Sequence, residues 1–118
     1  MSKSQNNFPI RIIKQSELNT VSVNHNSSLF KKVIISNNEI PGLLQFATAE
    51  FKENDVIEMH MHESMTEIFY LINGTLNLII NEEKYLINTG DTFVIPPKIN
   101  HSLKFLESTV LIYFNLSA

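Results

Sequence analysis

The sequence predicts an all-β protein built from short antiparallel strands. Runs rich in Ile, Val, Leu, Phe and Tyr are only a few residues long, and turn-forming residues separate them at regular intervals. These intervals are too short for crossover helices, so consecutive strands are expected to pair in the antiparallel sense. No segment shows a strong helical period. A β-sandwich or a small barrel is the architecture that this pattern favours.

The predicted strands cover most of the chain, and turns are expected between them. Residues 14–28 lack a clear period and are expected to hold a short helical turn or a loop. The predicted strands span residues 10–13, 29–35, 43–51, 67–72, 75–80, 84–87, 92–95, 101–106 and 109–116.

Asn73-Gly74 is the strongest turn signal, since it lies between two apolar runs. Asn-Gly readily takes the positive φ values of a type I′ turn, so we expect residues 67–80 to form a β-hairpin. Turn residues also gather at 54–55, 81–84, 88–91 and 107–108.

Length and composition indicate one globular domain and exclude several kinds of site. The 118 residues, 43% of them hydrophobic, suffice for one packed core, which we place at residues 10–118 after a flexible arm at 1–9. The net charge of -3 does not favour nucleic-acid binding, and no apolar run is long enough to span a membrane. With no signal-like N-terminus, a cytoplasmic location is expected. The absence of cysteine excludes thiolate metal sites and cysteine nucleophiles.

Three histidines and one glutamate stand out as candidate metal ligands. His60 and His62 are two residues apart, so both point to one face of an extended strand. Glu67 shares a strand face with apolar residues, and so does His101. Buried imidazole and carboxylate groups are costly unless they are paired, which favours a shared cation. Three imidazoles and one carboxylate suit a divalent transition metal such as Fe, Mn, Ni, Cu or Zn.

The spacing of these residues resembles the two motifs of the cupin superfamily. In the first motif, over 54–74, His60, His62, Glu67 and Gly74 match at every interval, while Asn54 replaces the leading glycine. In the second motif, over 90–105, the fourth candidate ligand is His101, and the departures from the motif lie at turn and support positions. Gly90, Pro96 and His101 match there, Lys98 replaces the second glycine, and Phe105 replaces the terminal asparagine.

The resemblance implies a double-stranded β-helix, or jelly-roll cupin barrel, with a metal near its open end. It implies that His60, His62, Glu67 and His101 hold that metal and that the protein forms a homodimer. Strand 67–72 agrees with the last point, because it is apolar on both faces and one face needs a cover. Cover from within the same chain is an equal alternative.

Other polar and aromatic residues are weaker candidates for the site. Tyr70, Tyr113 and Glu58 could act in acid–base catalysis, although strand aromatics usually pack and a glutamate at a strand start is usually solvated. Substrate contacts are assigned to residues that the strand pattern brings towards the barrel interior or its mouth. These residues are Gln45, Phe69, Lys98 and Phe105. The sequence does not determine which face of strand 43–51 points inwards. His25 is interpreted as a surface residue.

Two functions from different classes follow from the resemblance. The first is a metal-dependent enzyme acting on a small oxygen-rich organic substrate. The metal would act as a Lewis acid for isomerase, lyase or cyclase chemistry, or would support dioxygen chemistry. The alternative is a non-catalytic module that binds or senses a small ligand, and a barrel with a vestigial site is a third reading. Neither nucleic acid nor membrane is an expected partner.

Overall fold

A computed structural model describes residues 13–23, 26–37 and 39–117, except for the side chains of residues 26 and 27. Within these residues, ten strands form two antiparallel sheets. In chain order the strands are β1 (Thr20–Val23), β2 (Asn26–Ile35), β3 (Leu43–Phe51), β4 (Val56–His60), β5 (Met65–Asn73), β6 (Thr75–Ile80), β7 (Glu83–Asn88), β8 (Thr92–Ile95), β9 (His101–Phe105) and β10 (Thr109–Ser117).

The two sheets form the predicted jelly-roll barrel. The larger sheet has the strand order β1-β2-β3-β10-β5-β8, and the smaller has the order β4-β9-β6-β7. Strands far apart in sequence are neighbours in both sheets, which is typical of a jelly roll and unlike a simple meander. The apolar core lies between the sheets. Its most completely buried large apolar side chains are Phe105, Leu71, Leu76, Leu103 and Leu111.

The predicted hairpin over 67–80 is wrong, because the chain changes sheets at Gly74. The strand before this residue, β5, pairs with β10 and β8, whereas the strand after it, β6, pairs with β9 and β7. Gly74 has a φ of +126°, but Asn73 does not have the positive φ that a type I′ turn requires. The glycine is needed for a close approach, since an added Cβ would lie 2.6 Å from the Thr109 Cα.

The local hairpin is found one strand later, at a turn that the sequence also indicates. Asn81 and Glu82 join β6 to β7, and both have positive φ, of 52° and 70°. Two consecutive positive values are the signature of the primed hairpin turns. This turn lies in the predicted segment 81–84.

Two strands were not among those predicted. Residues 14–28 hold the expected short helical turn, a 3₁₀ helix at Gln15–Glu17, but they also hold β1. The second missing strand is β4, which ends at His60. The predicted flexible arm at 1–9, most of the predicted strand at 10–13, and His25 lie outside the described residues. Within the described part of the chain, no helix is long and apolar enough to cross a membrane.

We predict that Gly74→Ala destabilises the protein by at least about 3 kcal/mol, because the new methyl group would force Thr109 and its backbone apart. Gly90→Ala is the matched control. Gly90 also has a positive φ, of 88°, but nothing lies within 4 Å of an added Cβ, so only backbone strain of about 1 kcal/mol is expected. Urea unfolding of both variants measures the difference. Equal losses of stability would contradict the steric role of Gly74.

Candidate metal centre

Strand ends from both sheets bring the four candidate ligands to one end of the barrel. His60 is the last residue of β4 and pairs in register with His101, the first residue of β9. Glu67 comes from β5 in the opposite sheet, and His62 lies in the link between β4 and β5. The two sheets therefore contribute to a single cluster between them.

The distances place His60, Glu67 and His101 around a common point, and His62 joins them through its contact with Glu67. Glu67 Oε1 lies 3.4 Å from His101 Nε2 and 3.5 Å from His62 Nε2. The ligand atoms of His60, Glu67 and His101 all lie within 4.8 Å of one another. Glu67 and His101 are buried, whereas His60 and His62 are partly exposed. The cluster is thus closed on the inner side and open towards the barrel mouth.

Two buried polar atoms of this cluster have no hydrogen-bond partner. They are Glu67 Oε1 and His101 Nε2, which face each other without hydrogen-bond geometry. Leaving such atoms unsatisfied costs roughly 1–3 kcal/mol each, and more for a charged group. A cation between them would satisfy both. The donor set of imidazole nitrogens and one carboxylate therefore fits a divalent transition metal.

The backbone orients two of the imidazole rings for this purpose. His60 Nδ1 lies 2.8 Å from the carbonyl oxygen of Glu58, and His101 Nδ1 lies 2.9 Å from that of Ile99. A carbonyl only accepts hydrogen bonds, so each Nδ1 carries the proton that it donates. Each Nε2 then keeps its lone pair when the ring is neutral. This is the usual arrangement of histidines that bind metals.

The pKa of His101 lies above its usual value. Burial by itself lowers this pKa, but the contact with Glu67 and the hydrogen bond to the Ile99 carbonyl favour the protonated ring and outweigh it. A cation at His101 Nε2 has to displace a proton from that atom. Metal affinity is therefore expected to increase with pH.

Asn115 supports Glu67 from the neighbouring strand, and the sequence reasoning missed it. Asn115 pairs in register with Glu67 across β10 and β5. With its amide oriented so that Nδ2 faces the glutamate, it donates to Glu67 Oε2 at 3.3 Å. Glu67 Oε1 is then left directed at the histidines. Nothing in the motif spacing points to Asn115, because its role depends on the pairing of distant strands.

A cavity of about 90 Å³ extends from the cluster into the barrel. Gln45, Phe69 and Tyr113 line it, so strand β3 turns the face with Gln45 inwards. The Tyr113 hydroxyl donates to Gln45 Oε1 at 3.0 Å. Burial raises the pKa of Tyr113, and the charge of Glu67 raises it further. The phenol is therefore expected to stay protonated.

Lys31 also lines this cavity, and the sequence reasoning did not consider it. Its side chain is buried, and its ammonium donates to Gln45 Oε1 at 2.9 Å. Burial lowers the pKa of Lys31, while the charge of Glu67 opposes this shift. The strand pattern could not have identified it, because the two alternating faces of residues 29–34 each carry two apolar residues and one lysine.

The remaining candidates lie away from the cavity. Tyr70 is 40% exposed on the outer face of the larger sheet. Glu58 has an exposed side chain, and its backbone carbonyl accepts a hydrogen bond from His60 Nδ1. Lys98 is exposed, and its backbone N–H donates to the His62 carbonyl at 2.7 Å. Phe105 is fully buried in the core, where it stacks on Phe51 at 4.1 Å.

The two residues that replace motif glycines keep a glycine-like backbone. Asn54 has a φ of 73°, and Lys98 has a φ of 68°. Asparagine tolerates this left-handed conformation, whereas a lysine adopts it at a cost of roughly 1–2 kcal/mol. The turns around the site therefore keep the backbone conformation that the motif glycines permit.

One family model and many solved structures match this chain. The family model described as the cupin domain matches residues 47–116. An uncharacterised protein of Methanocaldococcus jannaschii is 35% identical over 53 residues, which is 45% of this chain. The match spans 42% of the length of that curated relative.

Solved structures share the whole barrel at low sequence identity. A predicted oxalate decarboxylase from Thermotoga maritima has a TM-score of 0.80 at 16% identity, covering 92% of this chain and all of its own. KdgF from Halomonas sp. has a TM-score of 0.74 at 22% identity, with 93% and 96% covered. An RmlC-like cupin from Shewanella frigidimarina has a TM-score of 0.75 at 14% identity, with 93% of each chain covered. At these identities the likeness shows the fold alone.

We predict that Asn115→Ala weakens metal binding about 10-fold, because Glu67 loses the donor that orients it. Competition with a chelator at fixed pH, using Zn²⁺, measures the affinity. Asn77→Ala in β6 is the control, since Asn77 does not line the cavity and should leave the affinity unchanged. Wild-type affinity in the Asn115→Ala variant would rule out the orienting role.

Proposed function

Because this chain belongs to the cupin domain family, we propose that it is a small metal-dependent cupin enzyme acting on a small oxygen-rich molecule. The observation that carries this proposal is the pair of buried, unpartnered atoms Glu67 Oε1 and His101 Nε2. They face each other beside two further histidines. A fold that leaves such atoms unsatisfied is best explained by a cation that binds between them.

His60, His62, Glu67 and His101 would hold the metal, which is Fe, Mn, Ni, Cu or Zn. When bound, such an ion supplies Lewis-acid chemistry for isomerisation, elimination or cyclisation, or the redox chemistry of dioxygen if it is iron. The choice between these reactions depends on the ion. The ligand set accepts several metals.

The chain's own side chains would select and orient the substrate. The cavity of about 90 Å³ is small beside the roughly 300–1,000 Å³ pockets of drug-sized ligands, so it favours a molecule of few atoms. Phe69 forms part of its apolar wall, while Gln45 and Tyr113 present polar atoms to a bound molecule. This mixture of walls suits an organic molecule with several oxygen atoms.

A non-catalytic binding or sensing module is the second candidate, and one observation favours it. Apart from the four candidate ligands, Lys31 and Tyr113 are the only titratable side chains among the described residues that line the cavity. The raised pKa of Tyr113 makes its phenol a poor general base. Glu58 and Tyr70, which could serve as bases, do not line the cavity. Turnover then has to rely on the metal, on Lys31 or on water.

We predict that the purified protein binds close to one divalent transition metal per chain and that His60→Ala/His62→Ala lowers this content at least about 10-fold, because two of the four ligands are lost. Elemental analysis of untagged protein measures the content. His25→Ala is the control, because His25 is the one histidine of the chain that is not a candidate ligand, and this variant should retain the metal. Wild-type protein that stays metal-free after incubation with these ions would refute the proposal.

Catalysis is separated from binding by a second variant. His101→Ala should abolish turnover of an active substrate while the thermal unfolding transition persists. Small acids that bind the wild type without any product across a broad panel would instead support the binding module.

We also propose that two copies of the chain associate through the outer face of the larger sheet. An apolar row crosses four neighbouring strands on this face. The cross-strand pairs Phe46–Phe114, Phe114–Ile68 and Ile68–Val94 make it continuous, and the rings of Phe46 and Phe114 stack at 4.6 Å. Tyr70, Ile72 and Val94 on this sheet are 40%, 46% and 54% exposed. A second copy would cover such a patch symmetrically.

We predict that Val94→Lys converts the dimer to a monomer, because the interface would then bury two unpaired lysines. Light scattering coupled to size-exclusion chromatography measures the mass. Leu86→Lys is the matched control, since Leu86 is 58% exposed on the smaller sheet and its change should leave the mass unaltered. A wild-type protein of monomeric mass, or a Val94→Lys variant that stays dimeric, would exclude this interface.

A further inference from the structure

We propose that Lys31, Gln45 and Tyr113 form an anion-binding subsite beside the metal centre, so that the ligand of this cavity is a small carboxylate. The inference rests on the proposed function for the position of the metal. Lys31 is the group that would contact the carboxylate.

The three side chains come from adjacent strands and meet at one oxygen atom. Lys31 on β2 lies next to Ala49 on β3 in register, and the small Ala47 and Ala49 side chains leave room on that face for its long stem. Its ammonium and the Tyr113 hydroxyl both donate to Gln45 Oε1, at 2.9 and 3.0 Å. The amide oxygen therefore gathers two donors at the wall of the cavity.

Lys31 is buried without a direct ion pair among the described residues. Its side chain is 7% exposed overall, and within the described residues no carboxylate lies within 4.0 Å of its ammonium. A buried ammonium is costly unless a charge pairs with it, and within the described part of the chain the Gln45 amide oxygen accepts from one of its three N–H donors. The two remaining donors suit the two oxygens of a carboxylate.

The charges of the whole cavity also favour an anion. Lys31 and Glu67 are its charged side chains at neutral pH when the histidines act as neutral ligands, and their charges cancel. The charge of a bound divalent ion then remains to be neutralised. A carboxylate that reaches Lys31 would do so, with a further oxygen of the same molecule directed at the metal centre.

The size and the walls of the cavity limit what this carboxylate can be. About 90 Å³ admits only a short acid, and Phe69 and Leu111 offer apolar contact to its carbon atoms. A short 2-oxo or 2-hydroxy acid has the required pair of features, a carboxylate and a neighbouring oxygen. Pyruvate and lactate are therefore suitable probes, and pyruvamide and lactamide are their neutral counterparts.

The test compares Lys31→Met with Lys32→Met in metal-loaded protein. Methionine keeps most of the stem of the lysine and removes its charge. Lys32 is the adjacent residue on the opposite strand face, and it does not line the cavity. Calorimetric titration with the two acids and the two amides measures Kd, and elemental analysis records the metal content of every sample.

Pyruvate or lactate should bind the wild type more tightly than its amide. Lys31→Met should weaken acid binding roughly 10- to 100-fold, because a charge-assisted hydrogen bond is lost, and should have little effect on amide binding. Lys32→Met should bind as the wild type does. Tyr113→Phe, which removes one hydroxyl and should fold, is expected to weaken acid binding by a smaller factor, because Gln45 Oε1 loses one of its two donors and positions Lys31 less firmly.

Three results would overturn the subsite. They are an acid affinity unchanged by Lys31→Met, amides that bind as tightly as acids, and a metal-loaded wild type that binds neither acid. If Lys31→Met does not fold, two other results would together overturn the subsite. These are an acid affinity that is unchanged in Tyr113→Phe and equal binding of acids and amides. A wild type that takes up no metal after incubation with the candidate metal ions, but still binds the acids through Lys31, would refute the proposed metal function and keep the subsite.

Discussion

The pairing of β10 with β3 on one side and with β5 on the other is the constraint on which the site depends. Its register aligns three polar residues in one row across three strands, because Asn115 lies opposite both Gln45 and Glu67. The next inward row holds Tyr113 opposite Phe69. A slip of one residue would turn Glu67 and Asn115 to the outer face and remove the carboxylate from the cluster.

Two groups of polar side chains lie inside the apolar barrel: the candidate metal ligands and the Lys31–Gln45 pair. At the barrel mouth, nitrogen and carboxylate ligands converge, and two of their atoms lack hydrogen bonds. Further along the cavity, a buried ammonium meets a neutral amide oxygen. Burying either group raises the free energy of the protein alone. This cost is offset when a cation binds to the first group or an anion binds to the second. A metal ion and a carboxylate together would satisfy the two ends, which is why the two proposals are physically connected although each has its own test.

Asn73-Gly74 does not form the tight hairpin turn that its local sequence favours. The preference of Asn-Gly for a tight turn is a property of two residues, whereas the partner of a strand is chosen by the packing of the whole barrel. Here Gly74 lets the chain pass close to Thr109 while it moves from one sheet to the other. Asn81 and Glu82, with less favourable turn chemistry, form the hairpin because β6 and β7 are neighbours in one sheet.

The sequence by itself determined the all-β class, most of the strands and the spacing of His60, His62, Glu67 and His101, because these follow from alternation and short intervals along the chain. Tertiary structure alone decided that Gln45 faces inwards, that Asn115 supports Glu67 and that Lys31 reaches the cavity. Each of these depends on strands distant in sequence, and the alternation of a single strand does not say which of its faces meets the core. The inward direction of Lys31 could not be predicted, since a lysine is rarely buried. It depends on contacts with β3, where Lys31 pairs with Ala49 and donates to Gln45.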